Sequence, residues 1–170
     1  MRARPSMVEV RRIDASLLPP IRHAVLWPSV AIESQLQSFD HADTTIHYGA
    51  FVAENEKPIG CITLTHEGYK GDLPPAIAGT MQGQYQIHKF AVMQDDQGQG
   101  IGSVLFRHTL EHLQQLEAKP ILLHLDARVE QKGWYQRFGL QVLDEEKFIK
   151  NGPTGNGPPV EYIRLGIMLH

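Results

Sequence analysis

The sequence predicts an α/β domain built on one mixed central sheet, and three observations predict it. Residues Phe90–Val92 form an apolar strand that turns through Met93–Gln97 and enters a helix at Gly98-Gln99-Gly100-Ile101-Gly102. That helix is followed after Lys119-Pro120 by the nearly unbroken apolar run Ile121–Leu125, so strand, helix and strand make a parallel βαβ unit. Two β-rich runs, Thr45–Ala53 and Ile59–Thr65, precede the unit as a hairpin, and two more strands follow it. The bulk properties agree. A chain of 170 residues, 42% hydrophobic and 21% charged, has the length and composition of one globular domain over residues 1–170, with 1–6 expected to be a frayed tail and translation able to begin at Met7.

Taken in order, Val8–Ile13 alternates apolar and charged residues as a first strand. Asp14 or Ser16 caps a helix entered through Pro19-Pro20, with Ile21, Val25 and Leu26 on one face and Pro28 ending it. Ile32, Leu36 and Phe39 predict a second short helix over Ala31–Phe39, and Asp40-His41-Ala42-Asp43 a polar break. The hairpin turns at Glu54–Pro58. Gly68–Gly83, rich in glycine and proline, reads as a long loop, and loops of this length tend to be functional. Tyr85–Met93 is the strand leading into the glycine corner. Ile101–Ala118 is the long helix, with Ile101, Leu105, Leu110 and Leu113 on its apolar face. Val129–Phe138 is a short helix closed by Gly139; Leu140–Phe148 and Glu161–Met168 are the last strands, joined by the turn-rich segment 151–159.

Composition excludes several function classes. Lys and Arg number 16 against 19 Asp and Glu, a net charge of −3, so no basic field recommends nucleic acid. No apolar run reaches the length of a membrane span, and no apolar segment follows the charged N-terminus as a secretory signal would require, so the expected location is cytoplasmic. The single Cys61 has no internal disulfide partner, in keeping with a reducing compartment. His108 and His112 share a helix face at i, i+4, but no acidic or cysteine partner has matching spacing, and no metal is expected.

The glycine corner carries the chemistry. A helix N-terminus presents unpaired N–H groups and partial positive charge, and glycines let the backbone approach an anion. A dinucleotide fingerprint fails, because its last glycine would fall on Ser103 or Leu105. A P-loop fails for want of a Gly-Lys-Ser/Thr ending. What remains, Gln97-x-x-Gly100-x-Gly102 after Phe90-Ala91-Val92, resembles the pyrophosphate loop of the GNAT acetyltransferase superfamily. Downstream, Trp134-Tyr135-Gln136-Arg137-Phe138-Gly139-Leu140 resembles the second signature of that family, Tyr-x-x-x-Gly-Phe, with Leu140 in the place of the last aromatic. The two motifs stand in the family's order, and the element order β-α-α-β-β-β-α-β-α-β-β matches the GNAT layout across the chain.

The resemblance implies an N-acetyltransferase that moves an acetyl group from acetyl-CoA directly to an amine. It places the diphosphate on Gln97, Gly98, Gln99, Gly100, Ile101, Gly102 and Ser103, and the pantetheine along Ala91 and Val92, beside Asp126 and Phe138. It puts the Tyr135 hydroxyl near the thioester sulfur, where a phenol can protonate the departing thiolate. Asp126 stands where many members carry asparagine. His88 or His124, on the flanking strands, is a candidate base, with ordered water as the alternative. Ile21–Pro28 is similar to small bacterial members, and Arg22 is a candidate for meeting a carboxylate on the acceptor, the alternative being a solvated arginine. A small-molecule amine is favoured over a protein acceptor, and a monomer or homodimer is expected. The rival reading is a silent module with the same fold that binds or senses acyl-CoA.

Overall fold

A computed structural model of the chain describes residues 7–53, 55–152 and 155–170; the expected tail at 1–6 and part of the expected 151–159 turn lie outside them. Seven strands appear: β1 (Val8–Arg12), β2 (Ile46–Val52), β3 (Gly60–Thr65), β4 (Gly83–Val92), β5 (Ile121–Arg128), β6 (Gln141–Lys150) and β7 (Val160–Leu169). The helices are α1 (Leu18–Val25), α2 (Pro75–Ala78), α3 (Ile101–Gln114) and α4 (Lys132–Gln136). Strand order is β1-β2-β3-β4-β5-β7-β6, a single mixed sheet in which β4 and β5 run parallel as expected. The chain divides into two compact units, one made of the chain up to Thr65 with His88–Gln115, the other of His66–Ile87 with Leu116–His170. β4 contributes its first half to the second unit and its last half to the first.

In the first unit, β2 and β3 form the expected antiparallel hairpin, with His47 opposite Thr63 and Gly49 opposite Cys61. Leu18 and Ile21 of α1 pack with Cys61 and Ala91 on one face of the strands. α3 packs against β1, β2 and β3 on the other, burying Ile101, Leu105, Phe106, Leu110 and Leu113. α1 starts as the sequence dictates. The Asp14 carboxylate accepts from the Ser16 N–H at 2.9 Å, and the prolines fill first-turn positions that need no N–H.

The expected helix over Ala31–Phe39 does not form. Two short 3-10 turns, Ile32–Ser34 and Ser38–His41, take its place. The polar side chains there satisfy the backbone in other ways: the Gln35 amide donates to the carbonyls of Trp27 and Val30, and the Gln37 N–H donates to Asp40. α3 also stops short of Ala118, because the Gln115 N–H is shared between the carbonyls of Glu111 and His112, which tightens the last turn. A short helix, α2, lies inside the segment expected to be all loop.

In the second unit β5, β7 and β6 are antiparallel neighbours, with irregular register along β6 after Val142. α4 follows a 3-10 turn at Val129–Gln131 and closes through Gly139, whose N–H donates to the Gln136 carbonyl at 3.0 Å.

Candidate active site

The glycine corner lies wholly in the first unit. Gln94–Asp96 forms a 3-10 turn, Gln97 is extended, and Gly98 and Gly100 take φ of +73° and +82°. A side chain at either position is strained by the left-handed backbone, so the loop's shape depends on glycine. Two side chains brace it: Gln97 Nε2 donates to the Val92 carbonyl at 2.9 Å, and Gln99 Nε2 to the Asp95 carbonyl at 3.0 Å. Gly100 is the N-cap of α3, and the Val104 N–H donates back to its carbonyl at 3.1 Å. The amides of Ile101, Gly102 and Ser103 therefore sit ahead of that bond, and no acidic side chain occupies the first turn. Gly98 and Gly100 are exposed. This is an anion cradle made of backbone.

Upstream, β4 carries an irregularity that no sequence pattern announced. Lys89 has φ +50°, uncommon for a residue with a side chain. Its ammonium lies 3.8 Å from the centre of the Trp27 ring, while His88 stacks on Phe39 at 4.6 Å and Phe90 on Phe106 at 6.0 Å. After this kink Ala91 points into the core and Val92 stays partly exposed next to the loop.

Arg22 departs from both expectations. It is neither solvated nor set to meet an acceptor; it is fully buried. Its two terminal nitrogens grip the Asp40 carboxylate at 2.6 and 2.7 Å and reach the Gln35 carbonyl and Thr63 hydroxyl at 3.2 and 3.1 Å. Burial alone would raise the Asp40 pKa, but the Arg22 hydrogen bonds, with the Gln37 N–H, hold it below the usual value. His47 completes the network, with Nδ1 at 2.8 Å from the Thr63 hydroxyl and Nε2 at 3.0 Å from the Asp40 carbonyl. Burial holds its pKa low. Arg22 is a structural anchor.

The second unit holds the other motif. Tyr135 and Phe138 sit on and just after α4, with Trp134 packed edge-on to Tyr135 at 5.0 Å and tilted against Phe138 at 4.8 Å. Burial, with a smaller effect from Tyr162, pushes the Tyr135 phenol up to about 12, so it holds its proton. Asp126 is turned to a neighbour: its carboxylate accepts from Lys150 at 2.8 Å. His124 departs from the base expectation. It is buried, its Nε2 lies 2.8 Å from the Glu67 carbonyl, and burial lowers its pKa. An imidazole that donates to a buried carbonyl is poorly placed to collect a proton from an incoming amine. Gly68–Gly83 helps line a cavity of 350 Å³, with His66, Met81 and Gln84 in its wall.

Cys61 is buried, and burial raises its thiol to about 12, which removes it as a nucleophile. His108 and His112 pack against the Tyr48 ring at 4.8 and 6.0 Å. Among the described residues no group of three metal-ligating side chains converges, and no helix is long and apolar enough to cross a membrane.

Comparison with known proteins agrees with this geometry. Residues 47–142, more than half of the chain, match the acetyltransferase (GNAT) domain. The chain is 26% identical over 139 residues to an uncharacterized N-acetyltransferase, YitI of Bacillus subtilis (strain 168), covering 82% of this chain and 86% of that one. Its fold is similar to that of Arabidopsis thaliana NAA60 solved in complex with acetyl-CoA, with a TM-score of 0.69 at 16% identity over 95% of this chain and 98% of that one. It is similar also to Escherichia coli ElaA, with a TM-score of 0.65 at 18% identity over 94% and 99% of the two chains. Fold, motif order and family match converge: the chain belongs to the GNAT acetyltransferase family, acyl-CoA-dependent N-acetyltransferases with acetyl-CoA as cosubstrate.

Proposed function

We propose that residues 1–170 act as one GNAT domain that transfers the acetyl group of acetyl-CoA directly to a small-molecule amine in the cytoplasm, as a monomer or homodimer. The observation that carries this reading is the cradle itself, with left-handed glycines at 98 and 100 leading into the open N-terminus of a 14-residue helix. In it the backbone amides from Gln97 to Ser103, with Gly98, Gln99, Gly100, Ile101 and Gly102 between them, hold the diphosphate. The strand end at Ala91 and Val92, held by the Gln97 bond, takes the pantetheine by backbone hydrogen bonding, with Phe138 as an apolar neighbour. A backbone N–H near Val92 polarises the thioester carbonyl.

Tyr135 is the general acid. A phenol raised to about 12 enters the reaction with its proton in place. Complete transfer to a free thiolate, whose conjugate thiol has a pKa of about 8.5, is uphill, so its contribution is the hydrogen bond it strengthens as the sulfur gains charge. The amine loses its proton to His88 or to ordered water. The Asp126 carboxylate, tied to Lys150, is better suited to the acceptor than to the pantetheine amide nitrogen and carbonyl together.

The test is steady-state CoA release over a panel of amines, with wild type and Tyr135→Phe. Acceptor-dependent release that falls about 100-fold in the variant supports the reading. Tight acetyl-CoA binding with no acceptor-dependent release would assign a silent binding module instead.

A further inference from the structure

One face of the β5-β7-β6 sheet in the second unit carries more charge chemistry than acetyl-CoA needs. Register sets Arg164 of β7 between Asp126 of β5 and Asp144 of β6. Arg164 Nη1 lies 3.2 Å from Asp144, and Lys150 Nζ 2.8 Å from Asp126. Aromatic rings stand beneath both cations. Phe148 and Tyr162 stack at 5.9 Å, with the Arg164 guanidinium 4.2 Å from the Phe148 centre and the Lys150 ammonium 4.7 Å from that of Tyr162.

Two features make this array more than a solvated ion-pair ladder. The first is unspent capacity. Arg164 has five N–H donors, and its contact with Asp144 uses a single nitrogen; Lys150 likewise has more donors than Asp126 takes. All four side chains keep access to solvent, from 25% exposed at Asp126 to 46% at Lys150. The second is Tyr69. Its backbone N–H is fixed by Gln84 at 2.7 Å and its ring meets His124 edge-on at 5.6 Å, yet its hydroxyl is buried with no hydrogen-bond partner among the described residues. A buried hydroxyl left unpaired costs about 1–3 kcal/mol, which a ligand oxygen would recover. Burial, then the nearby Asp144, raises the Tyr69 pKa, while Arg164 opposes them. The phenol therefore stands in the field of this array, as a donor.

The pattern of charge selects the ligand. Asp126 and Asp144 are each already matched by a cation, so the face offers no net negative field to an amine that carries positive charge alone. An acceptor with both signs fits better. Its carboxylate takes the planar fork of Arg164 and the Tyr69 hydroxyl, and its ammonium takes carboxylate oxygens of Asp126 and Asp144.

We propose that this face is the acceptor-reading surface of the acetyltransferase and that it takes a zwitterionic acceptor, an amine that also bears a carboxylate, with Arg164 and Tyr69 as the specificity-determining residues. This rests on the acetyl-transfer reading above.

The experiment uses the full chain with saturating acetyl-CoA and pairs of acceptors that differ by one group, α-amino acids and the amines left by their decarboxylation, such as L-lysine and 1,5-diaminopentane. The expected result is a kcat/KM at least about tenfold higher for carboxylate-bearing acceptors. Arg164→Gln should raise their KM about tenfold, and Tyr69→Phe several-fold, while turnover of the decarboxylated amines and acetyl-CoA affinity stay within about twofold. Preference for the decarboxylated amines, or equal loss for both members of a pair in Arg164→Gln, overturns the proposal. If acetyl-CoA binds and no acceptor releases CoA, the acetyl-transfer reading fails on its own. Calorimetric titration of the CoA-bound protein with the same pairs then decides this face: carboxylate-selective binding lost in Arg164→Gln supports it, and none overturns it.

Discussion

The Arg22 guanidinium holds the Asp40 carboxylate through both terminal nitrogens, at 2.6 and 2.7 Å, where neither side chain is exposed. The pair joins α1 to the 3-10 turn before β2, and Thr63 ties both to β3. Removing one partner of such a pair leaves an uncompensated buried charge, which costs about 3–5 kcal/mol. Arg22→Ala should lower unfolding free energy by about that amount in urea titration. Arg22→Lys should fail to restore it, since an ammonium lacks the two-pronged geometry. A stable Arg22→Ala with altered acceptor preference would return Arg22 to the acceptor site.

His47 makes that network sensitive to acid. Its burial lowers its pKa below the ordinary value of 6.5, so the folded state binds fewer protons than the unfolded chain. Stability from this source is complete above about pH 6.5 and declines as pH falls toward the depressed folded value. His124 and His112 are shifted in the same direction by burial and add to the slope. Asp40, held low chiefly by Arg22 against its burial, adds a further loss at pH below its model-peptide value of 3.8. The urea midpoint should hold from pH 8 to 7 and decline below about 6.5, less steeply in His47→Gln. An unchanged slope in that variant would remove His47 as a contributor.

Cys61 should be chemically silent. With a thiol raised to about 12 in a fully buried position, it should resist alkylation at pH 8 until the protein unfolds, and Cys61→Ala should retain turnover. Loss of activity on thiol labelling of the native protein would contradict this.

Much of the fold was legible in the sequence because its signals are local. Alternation marked β1, the hairpin and β7 to within a residue or two, and the glycine corner named the start of α3 at Ile101. The Ala31–Phe39 segment misled because its apolar spacing is helical, while Gln35 and Asp40 satisfy the backbone through side-chain bonds that periodicity cannot register. The partnership of Arg22 with Asp40 spans 18 residues and leaves no spacing signal. Nor does a lysine announce a positive φ, as at Lys89, or a tyrosine an unpaired hydroxyl, as at Tyr69. The motifs did name Tyr135, while the burial that governs its proton came only with the folded second unit.

The alkaline limb of activity offers a separate check on Tyr135. Because burial raises its phenol to about 12, its ionisation should not reduce kcat below about pH 10. In Tyr135→Phe, kcat should fall about 100-fold while the KM for acetyl-CoA changes less than about threefold. Unchanged turnover would take the acid role from it.

Calorimetric titration of acetyl-CoA into wild type and Gly100→Leu tests the cradle most directly. At φ +82° a leucine costs about 1–2 kcal/mol in backbone strain, and its side chain stands where the diphosphate would approach. Micromolar binding by wild type, weakened at least about tenfold in a Gly100→Leu protein that remains folded, is the predicted result. Equal binding by the two proteins, or none by either, would contradict the assignment of this loop to acetyl-CoA.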